Sequence, residues 1–238
     1  MINPRANSAE LAINGGAPIR STPMPARMAL GPEEAAYIQN ALDFYRESKL
    51  DPGYQGHFEA LYCNSFCDFM GGGYADAVAT GTASIYVALA ALQLPAGSEV
   101  ITSSITDPGT LSAIIFAGHT PRLADTKPGS YNMGVEEFVA RISPTTRAVV
   151  VVHAAGQATE IDEIVAEAHR RDIRVLEDCA QSHGSTWKGA KVGTFGDIAA
   201  FSTMYRKAHM TGASGGVVYS RDKDLHHLGL AYADRGKP

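Results

Sequence analysis

Val175-Leu176-Glu177-Asp178-Cys179-Ala180-Gln181-Ser182-His183-Gly184 is the stretch from which the rest of the chain can be read. The run just before it, Ile173 to Leu176, is short and mostly apolar, as in a buried strand. It delivers Glu177 and Asp178 at its carboxyl end, ahead of a polar loop closed by glycine. In open α/β sheets, ligands gather at that end of the strands. Taken alone, Asp178 reads equally well as a loop or helix cap. The balance shifts downstream, at Phe201-Ser202-Thr203-Met204-Tyr205-Arg206-Lys207, which is followed by the Gly-rich turn Gly212-Ala213-Ser214-Gly215-Gly216.

An acid at a strand end, a later lysine and a Gly-rich phosphate turn form the set that a pyridoxal 5'-phosphate (PLP) enzyme needs. A carboxylate beside the pyridine nitrogen keeps that ring protonated, so that it can accept the electrons of a carbanion. Asp178 suits this role. A lysine amine can join the cofactor aldehyde as a Schiff base and then carry a proton. Lys207 suits that one.

With 238 residues, 45% of them hydrophobic, the chain can bury a sizeable core in one large domain, or in one domain plus a fragment of another. The net charge of -5 and scattered basic residues leave no electrostatic footprint for nucleic acid. Cys63, Cys67 and Cys179 form neither a disulfide framework nor a zinc spacing, and Cys63 and Cys67 read as a packed helix face. The odd cysteine count and an amino terminus without a signal-peptide layout predict a cytoplasmic protein. Ala77 to Ser98 carries no charge, but Thr80, Gly81, Thr82 and Pro95 interrupt it. It reads as strand, loop and buried helix, not as a membrane span.

Residues 1–30 are rich in Pro, Gly and small polar groups and predict a surface arm ahead of a domain over 31–238. Pro32 to Ser48 opens with Pro and two glutamates and then places Ala35, Ile38, Leu42 and Tyr45 at helical spacing. A second helix spans His57 to Met70, and the triple glycine Gly71-Gly72-Gly73 reads as its stop. Tyr74 to Thr80 predicts a strand and Ile85 to Leu92 a helix. Gly81-Thr82-Ala83-Ser84 between them reads either as an anion site at a helix start or as a plain cap by Thr82.

Beyond that, strands at Glu99 to Thr102, Pro121 to Ala124, Ala148 to Val152 and Ile173 to Leu176 alternate with helices near Pro108 to Ala117, Val135 to Ile142 and Ile161 to Arg171. This alternation predicts a mostly parallel sheet with helices on both faces. No Gly-x-Gly-x-x-Gly follows any strand, which weighs against a dinucleotide. His153 at a strand end reads as a satisfied structural histidine, and His226 and His227 as surface groups of a late helix.

Several short motifs agree in order and spacing. They are Gly81-Thr82-Ala83-Ser84-Ile85-Tyr86-Val87-Ala88-Leu89, Gly97-Ser98-Glu99-Val100-Ile101, Ala117-Gly118-His119-Thr120-Pro121 with Asp125, and Val152-His153 with Gly156-Gln157. Glu177-Asp178 with Ala180-Gln181 and His183-Gly184, and Phe201-Ser202 with Lys207 and Gly215-Gly216, complete the set. Together, from about residue 31 to the end, they resemble the DegT/StrS family of PLP-dependent nucleotide-sugar aminotransferases. The resemblance implies the large domain of the aspartate aminotransferase-like fold. It implies that Asp178 pairs with the pyridine nitrogen and Gln181 approaches the phenolic oxygen. Lys207 forms the Schiff base, while Gly81, Thr82 and Ala83 with the Ser202 hydroxyl hold the phosphate.

The implied reaction moves an amino group from an amino-acid donor, commonly glutamate, to the keto carbon of a nucleotide-activated sugar, in a homodimer that needs neither membrane nor nucleic acid. Three departures stand out. Ile105 and Asp107 occupy positions where the family carries aromatics, one of which stacks on the cofactor, and an acid there would alter substrate choice. The tract between Lys207 and the double glycine is one residue longer. The family's small carboxyl-terminal domain has no counterpart in these 238 residues, so the sequence is expected to be a fragment. Two other readings remain: a sugar dehydratase of the same fold, which carries histidine in place of the lysine and for which His209 is the nearby candidate, and a cofactor-binding protein without catalysis.

Overall fold

The computed structural model describes residues 11–23 and 30–236. Of the expected arm, residues 1–10 and 24–29 lie outside the described residues; 11–23 form one short 3-10 turn and are mostly exposed. Helix α1 spans Pro32–Ser48 and α2 spans His57–Met70, with the predicted bounds. Gly71 stops α2 in the left-handed region (φ 83), its N–H returning to the Asp68 and Cys67 carbonyls, so the triple glycine is a helix stop. The apolar stripe of α1 is not buried within this chain: Ile38 and Leu42 are each 60% exposed.

Strand β1 (Tyr74–Val78) leads into α3 (Gly81–Ala91). After these come β2 (Glu99–Ser103), α4 (Pro108–Phe116), β3 (Thr120–Ala124), α5 (Val135–Val139), β4 (Thr146–Val152), α6 (Ile161–Arg170) and β5 (Arg174–Asp178). A small hairpin, β6 (Thr186–Trp187) and β7 (Ala190–Lys191), precedes β8 (Ile198–Ser202), β9 (Gly216–Ser220) and α7 (Lys223–Ala233). The seven-stranded sheet has the order β1-β9-β8-β5-β4-β2-β3. Only β9 runs against the others, pairing antiparallel with both β1 and β8. The mostly parallel α/β sheet read from the sequence is the one observed.

Alternation along the strands divides the core between the two faces. Ala148 and Val150 of β4 join Leu176, Ile198 and Val218 against α3, α4 and α7. Val149 and Val151 join Val175 against Phe138 of α5 and Ile161 and Ile164 of α6. The same second face continues under α2, where Phe66 and Met70 meet Ala199, Phe201 and Tyr219, with Cys63 and Cys67 packed alongside. No described helix is long and apolar enough to cross a membrane. His226 is half-buried and stacked on Tyr74, while its neighbour His227 is exposed, so only one of the two is a surface group.

Glu177 carries the least expected role in the fold. It is fully buried at the end of β5, and its Oε1 accepts from the N–H groups of Phe195 (2.8 Å) and Gly196 (2.7 Å). Its Oε2 accepts from the Gly193 N–H (2.7 Å) and lies 3.0 Å from His153 Nε2. His153 Nδ1 accepts from the Thr159 N–H, so that nitrogen is unprotonated and Nε2 carries the proton donated to Glu177. Four donors thus converge on one buried carboxylate and pin residues 193–196 beneath the sheet. Glu177, His153 and Cys179 lie close enough to suggest a metal trio. The imidazole has no lone pair left for an ion, and burial pushes the Cys179 thiol well up, away from the thiolate.

Candidate active site

At the carboxyl ends of β4, β5 and β8, beside the start of α3, lies a cavity of about 220 Å³. Gly81, Thr82, Asp178, Gln181, Ser202 and Lys207 all line it, although up to 126 positions separate them in sequence, from 81 to 207. Of the expected cofactor-binding residues only Ala83 does not.

Helix α3 begins four residues earlier than predicted, and its cap is Thr80, not Thr82. The Thr80 hydroxyl accepts from the Ala83 N–H at 2.9 Å. That amide is therefore engaged in capping, and the first-turn N–H groups left to face an anion are those of Gly81 and Thr82. A Cβ at Gly81 would lie 2.5 Å from Ser202 Cβ and 2.8 Å from its Oγ, so glycine is what lets the helix start close on the end of β8.

The turn Gly212–Gly216 differs from its phosphate reading. Only Ser214 reaches the cavity, and its hydroxyl donates to the Ala79 carbonyl at 2.8 Å. Gly215 and Gly216 serve packing: a side chain on Gly215 would strike the hydroxyls of Thr203 and Thr211, and one on Gly216 the backbone of Thr80.

Asp178 is 4% exposed. Its Oδ1 accepts from the Ala180 N–H at 3.1 Å, and its Oδ2 from the Thr110 hydroxyl at 2.9 Å. Thr110 in turn accepts from the Thr106 hydroxyl at 2.8 Å. Burial pushes the Asp178 carboxyl up, and the Ala180 N–H and Thr110 hydroxyl work against that shift. Sequence reasoning missed both threonines. No local signal marks them: Thr106 precedes the N-cap Asp107 of α4 and Thr110 lies in its first turn, so their hydroxyls meet only through the way the chain enters the helix.

Asp107, where an aromatic was expected, borders the cavity, but its Oδ1 caps α4 by accepting from the Gly109 N–H at 2.8 Å. Ile105 lies outside the lining. The Gln181 Oε1 accepts from the Ala155 N–H at 2.7 Å, and because a backbone N–H can only donate, the Gln181 amide nitrogen must point the other way. Ala155 reaches that position in the left-handed region, at φ 54 and ψ 27, where a non-glycine backbone is strained. His209 lines a separate cavity beside Tyr62, Phe66 and His183, its Nε2 2.9 Å from the Tyr62 hydroxyl.

The arrangement offers a buried carboxylate, a lysine amine, a cradle of helix-start amides with a serine hydroxyl, and one oriented amide. Such a set can hold a phosphate ester at one end of a flat heterocycle and a protonated ring nitrogen at the other.

Residues 34–238 match the family model described as the DegT/DnrJ/EryC1/StrS aminotransferase family. The chain is 34% identical over 230 residues to a putative L-glutamine:3-amino-2,3-dideoxy-scyllo-inosose aminotransferase of Streptoalloteichus tenebrarius, covering 97% of this chain and 55% of that protein. It is 34% identical over 204 residues to GDP-perosamine synthase of Escherichia coli O157:H7, with 86% and 54% covered. Among solved structures, the aminotransferase from Psychrobacter cryohalolentis superposes with a TM-score of 0.82 at 32% identity, over 89% of this chain and 53% of that one. The E. coli GDP-4-keto-6-deoxy-D-mannose-3-dehydratase with bound hydrated PLP superposes with a TM-score of 0.77 at 27% identity, over 87% and 53%. The chain spans about half the length of the curated relatives it matches.

Proposed function

The chain belongs to the DegT/DnrJ/EryC1/StrS aminotransferase family and has its large-domain fold, and from that membership and the cavity we propose that it is a PLP-dependent sugar aminotransferase. Residues 31–238 act as the cofactor-binding large domain. The keto substrate is a nucleotide-activated sugar and the amino donor is glutamate or glutamine; the donor named for the Streptoalloteichus relative is L-glutamine and the sugar nucleotide named for the E. coli one is a GDP sugar. As in the family, the working unit is a homodimer in the cytoplasm.

The observation that carries this reading is Asp178. Its carboxylate is buried with two neutral hydrogen-bond donors at its oxygens, and a protonated ring nitrogen would set a full positive charge directly against it. A second feature is the space at Gly81, which a Cβ would fill. When bound, PLP supplies an aldehyde that condenses with amines and a ring that takes up the electron pair of a broken C–H bond. Asp178 holds the proton on the ring nitrogen, and Thr106 and Thr110 hold Asp178 in one rotamer. The Gly81 and Thr82 amides and the Ser202 hydroxyl bind the phosphate. The Gln181 amide donates toward the ring's phenolic oxygen. Lys207 Nζ takes a proton from the α-carbon of the donor and returns one to the acceptor carbon in the second half of the cycle. The dehydratase alternative calls for histidine in that place, and His209 lies outside the lining.

The test is the half-reaction. Full-length protein loaded with PLP and mixed with L-glutamine or L-glutamate is expected to lose its visible aldehyde absorbance as the amine form accumulates, with one equivalent of keto acid released. Cofactor binding without this change for any amino acid would favour the non-catalytic reading.

Gly81→Ala supplies a separate check on the phosphate cradle. Crowding Ser202 is expected to weaken PLP binding by tenfold or more in an absorbance titration and to cost about 1–3 kcal/mol of stability. Unchanged affinity would move the phosphate away from this turn.

A further inference from the structure

A different cavity, of about 420 Å³, opens between the start of α2, the end of α7 and one face of α3, and it shares no lining residue with the candidate active site. Tyr54, Tyr86 and Tyr232 wall it, and Glu59, Asp76 and Asp234 bring carboxylates to it. Asp76 is the unusual member. It stands in the middle of β1 at only 6% exposure, and among the described residues no side chain bonds to its carboxylate. The N–H of the adjacent Ala77 is its one donor. A carboxylate so buried and so poorly partnered is costly unless something else answers its charge.

The acids around it do not answer it. Asp234 is paired with Arg235 at 3.0 Å, and the Arg235 guanidinium lies 4.3 Å from the Tyr54 ring centroid, so one cation already sits on this aromatic wall. Glu59 accepts only from the neutral Gln55 N–H, at 2.8 Å. Glu59 and Asp76 therefore face the cavity together, and the cation beside them, Arg235, is engaged by Asp234 and the Tyr54 ring. Burial first, then the charges of Glu59 and Asp234, push the Asp76 carboxyl up to about 7.

We propose that this cavity binds a small protonated organic amine, its ammonium group between Asp76 and Glu59 and its body against the tyrosine rings. Above its raised pKa the Asp76 carboxylate adds its charge to that of Glu59, and a cation between them answers both. No third acid joins Asp76 and Glu59 closely enough to make a metal centre, because among the described residues the one group of three with ligand atoms within 4.8 Å of one another is His153, Glu177 and Cys179. Aromatic faces beside carboxylates suit an ammonium, and the volume suits a body the size of a six-membered ring.

The probe is N,N-dimethylcyclohexylammonium, a tertiary amine that cannot condense with an aldehyde and so does not report on the candidate active site. Calorimetric titration into PLP-loaded full-length protein is expected to give saturable binding at pH 8.5. The groups facing Asp76 are Glu59 and Cys63 of α2, Tyr86 of α3, and Tyr232, Asp234 and Arg235 at the end of α7. Asp76 is raised to about 7, so binding is expected to weaken at least tenfold at pH 5.5, where it is protonated. The neutral isostere cyclohexanol and the variant Asp76→Asn are each expected to bind or be bound at least tenfold more weakly. Tyr232→Ala, on the exposed rim, is expected to weaken binding severalfold without disturbing the fold. Equal binding of cyclohexanol, unchanged affinity in both variants, or displacement of the amine by magnesium chloride at matched concentration would each overturn the proposal.

Discussion

Replacing Lys207 with alanine is expected to abolish the lysine-linked visible absorbance of the PLP-loaded protein and to lower transamination about 10²–10⁴-fold, the usual loss when a positioned proton carrier is removed. The physical basis is that Lys207 lines the same cavity as Asp178, Gln181 and the Gly81 turn. The alanine variant also removes a positive charge that holds the Asp178 carboxyl down. Lys207→Arg separates the two effects. It keeps the charge but has no amine that condenses with an aldehyde and no proton to exchange near neutral pH. Equal losses in both variants identify the amine chemistry as the cause. Recovery of most activity in the arginine variant would reduce Lys207 to an electrostatic group, and undiminished turnover in the alanine variant would remove it from the mechanism.

The second large effect concerns stability and lies beside the site. Glu177→Ala leaves the Gly193, Phe195 and Gly196 N–H groups and the His153 Nε2–H without their acceptor. An unsatisfied buried donor costs about 1–3 kcal/mol, and a broken buried charge about 3–5 kcal/mol. A loss of about 3–5 kcal/mol is therefore expected in urea denaturation followed by circular dichroism, a large share of the whole stability of a domain this size. Glu177→Gln is expected to be almost as damaging. Either orientation of the amide points its NH₂ at two donors, and His153 cannot change tautomer because Thr159 already donates to Nδ1. A loss below about 1 kcal/mol in both variants would mean that water replaces the carboxylate and that the donor cluster is not what holds residues 193–196.

The cause of this arrangement is visible at two neighbouring residues. Glu177 and Asp178 are adjacent on β5 and their side chains leave it on opposite faces. One meets the amides of the loop after the β6–β7 hairpin; the other meets Thr110 and the cavity. Sequence alone marked both as strand-end acids and offered a role for Asp178 only, since nothing local to Glu177 announces donors that lie 16 to 19 positions away.

Features with a local cause were legible in the chain itself. Helices α1 and α2 follow from proline and glutamates at one end, glycine at the other and apolar spacing between. The strand-helix alternation follows from the period of the apolar residues, and the candidate roles of Asp178, Lys207 and Gly81 follow from residue chemistry, with the fold then bringing the three to one cavity. Other features arise only when distant segments meet. The reversal of β9 and the Thr110–Asp178 bond across 68 positions are of this kind, as are the left-handed Ala155 that turns Gln181 and the poorly partnered Asp76 in its tyrosine-walled cavity. Periodicity and capping act over a few residues and leave a trace in the order of amino acids. Hydrogen-bond partners, burial and the shape of a cavity depend on which elements the sheet brings side by side, and only the folded chain decides that.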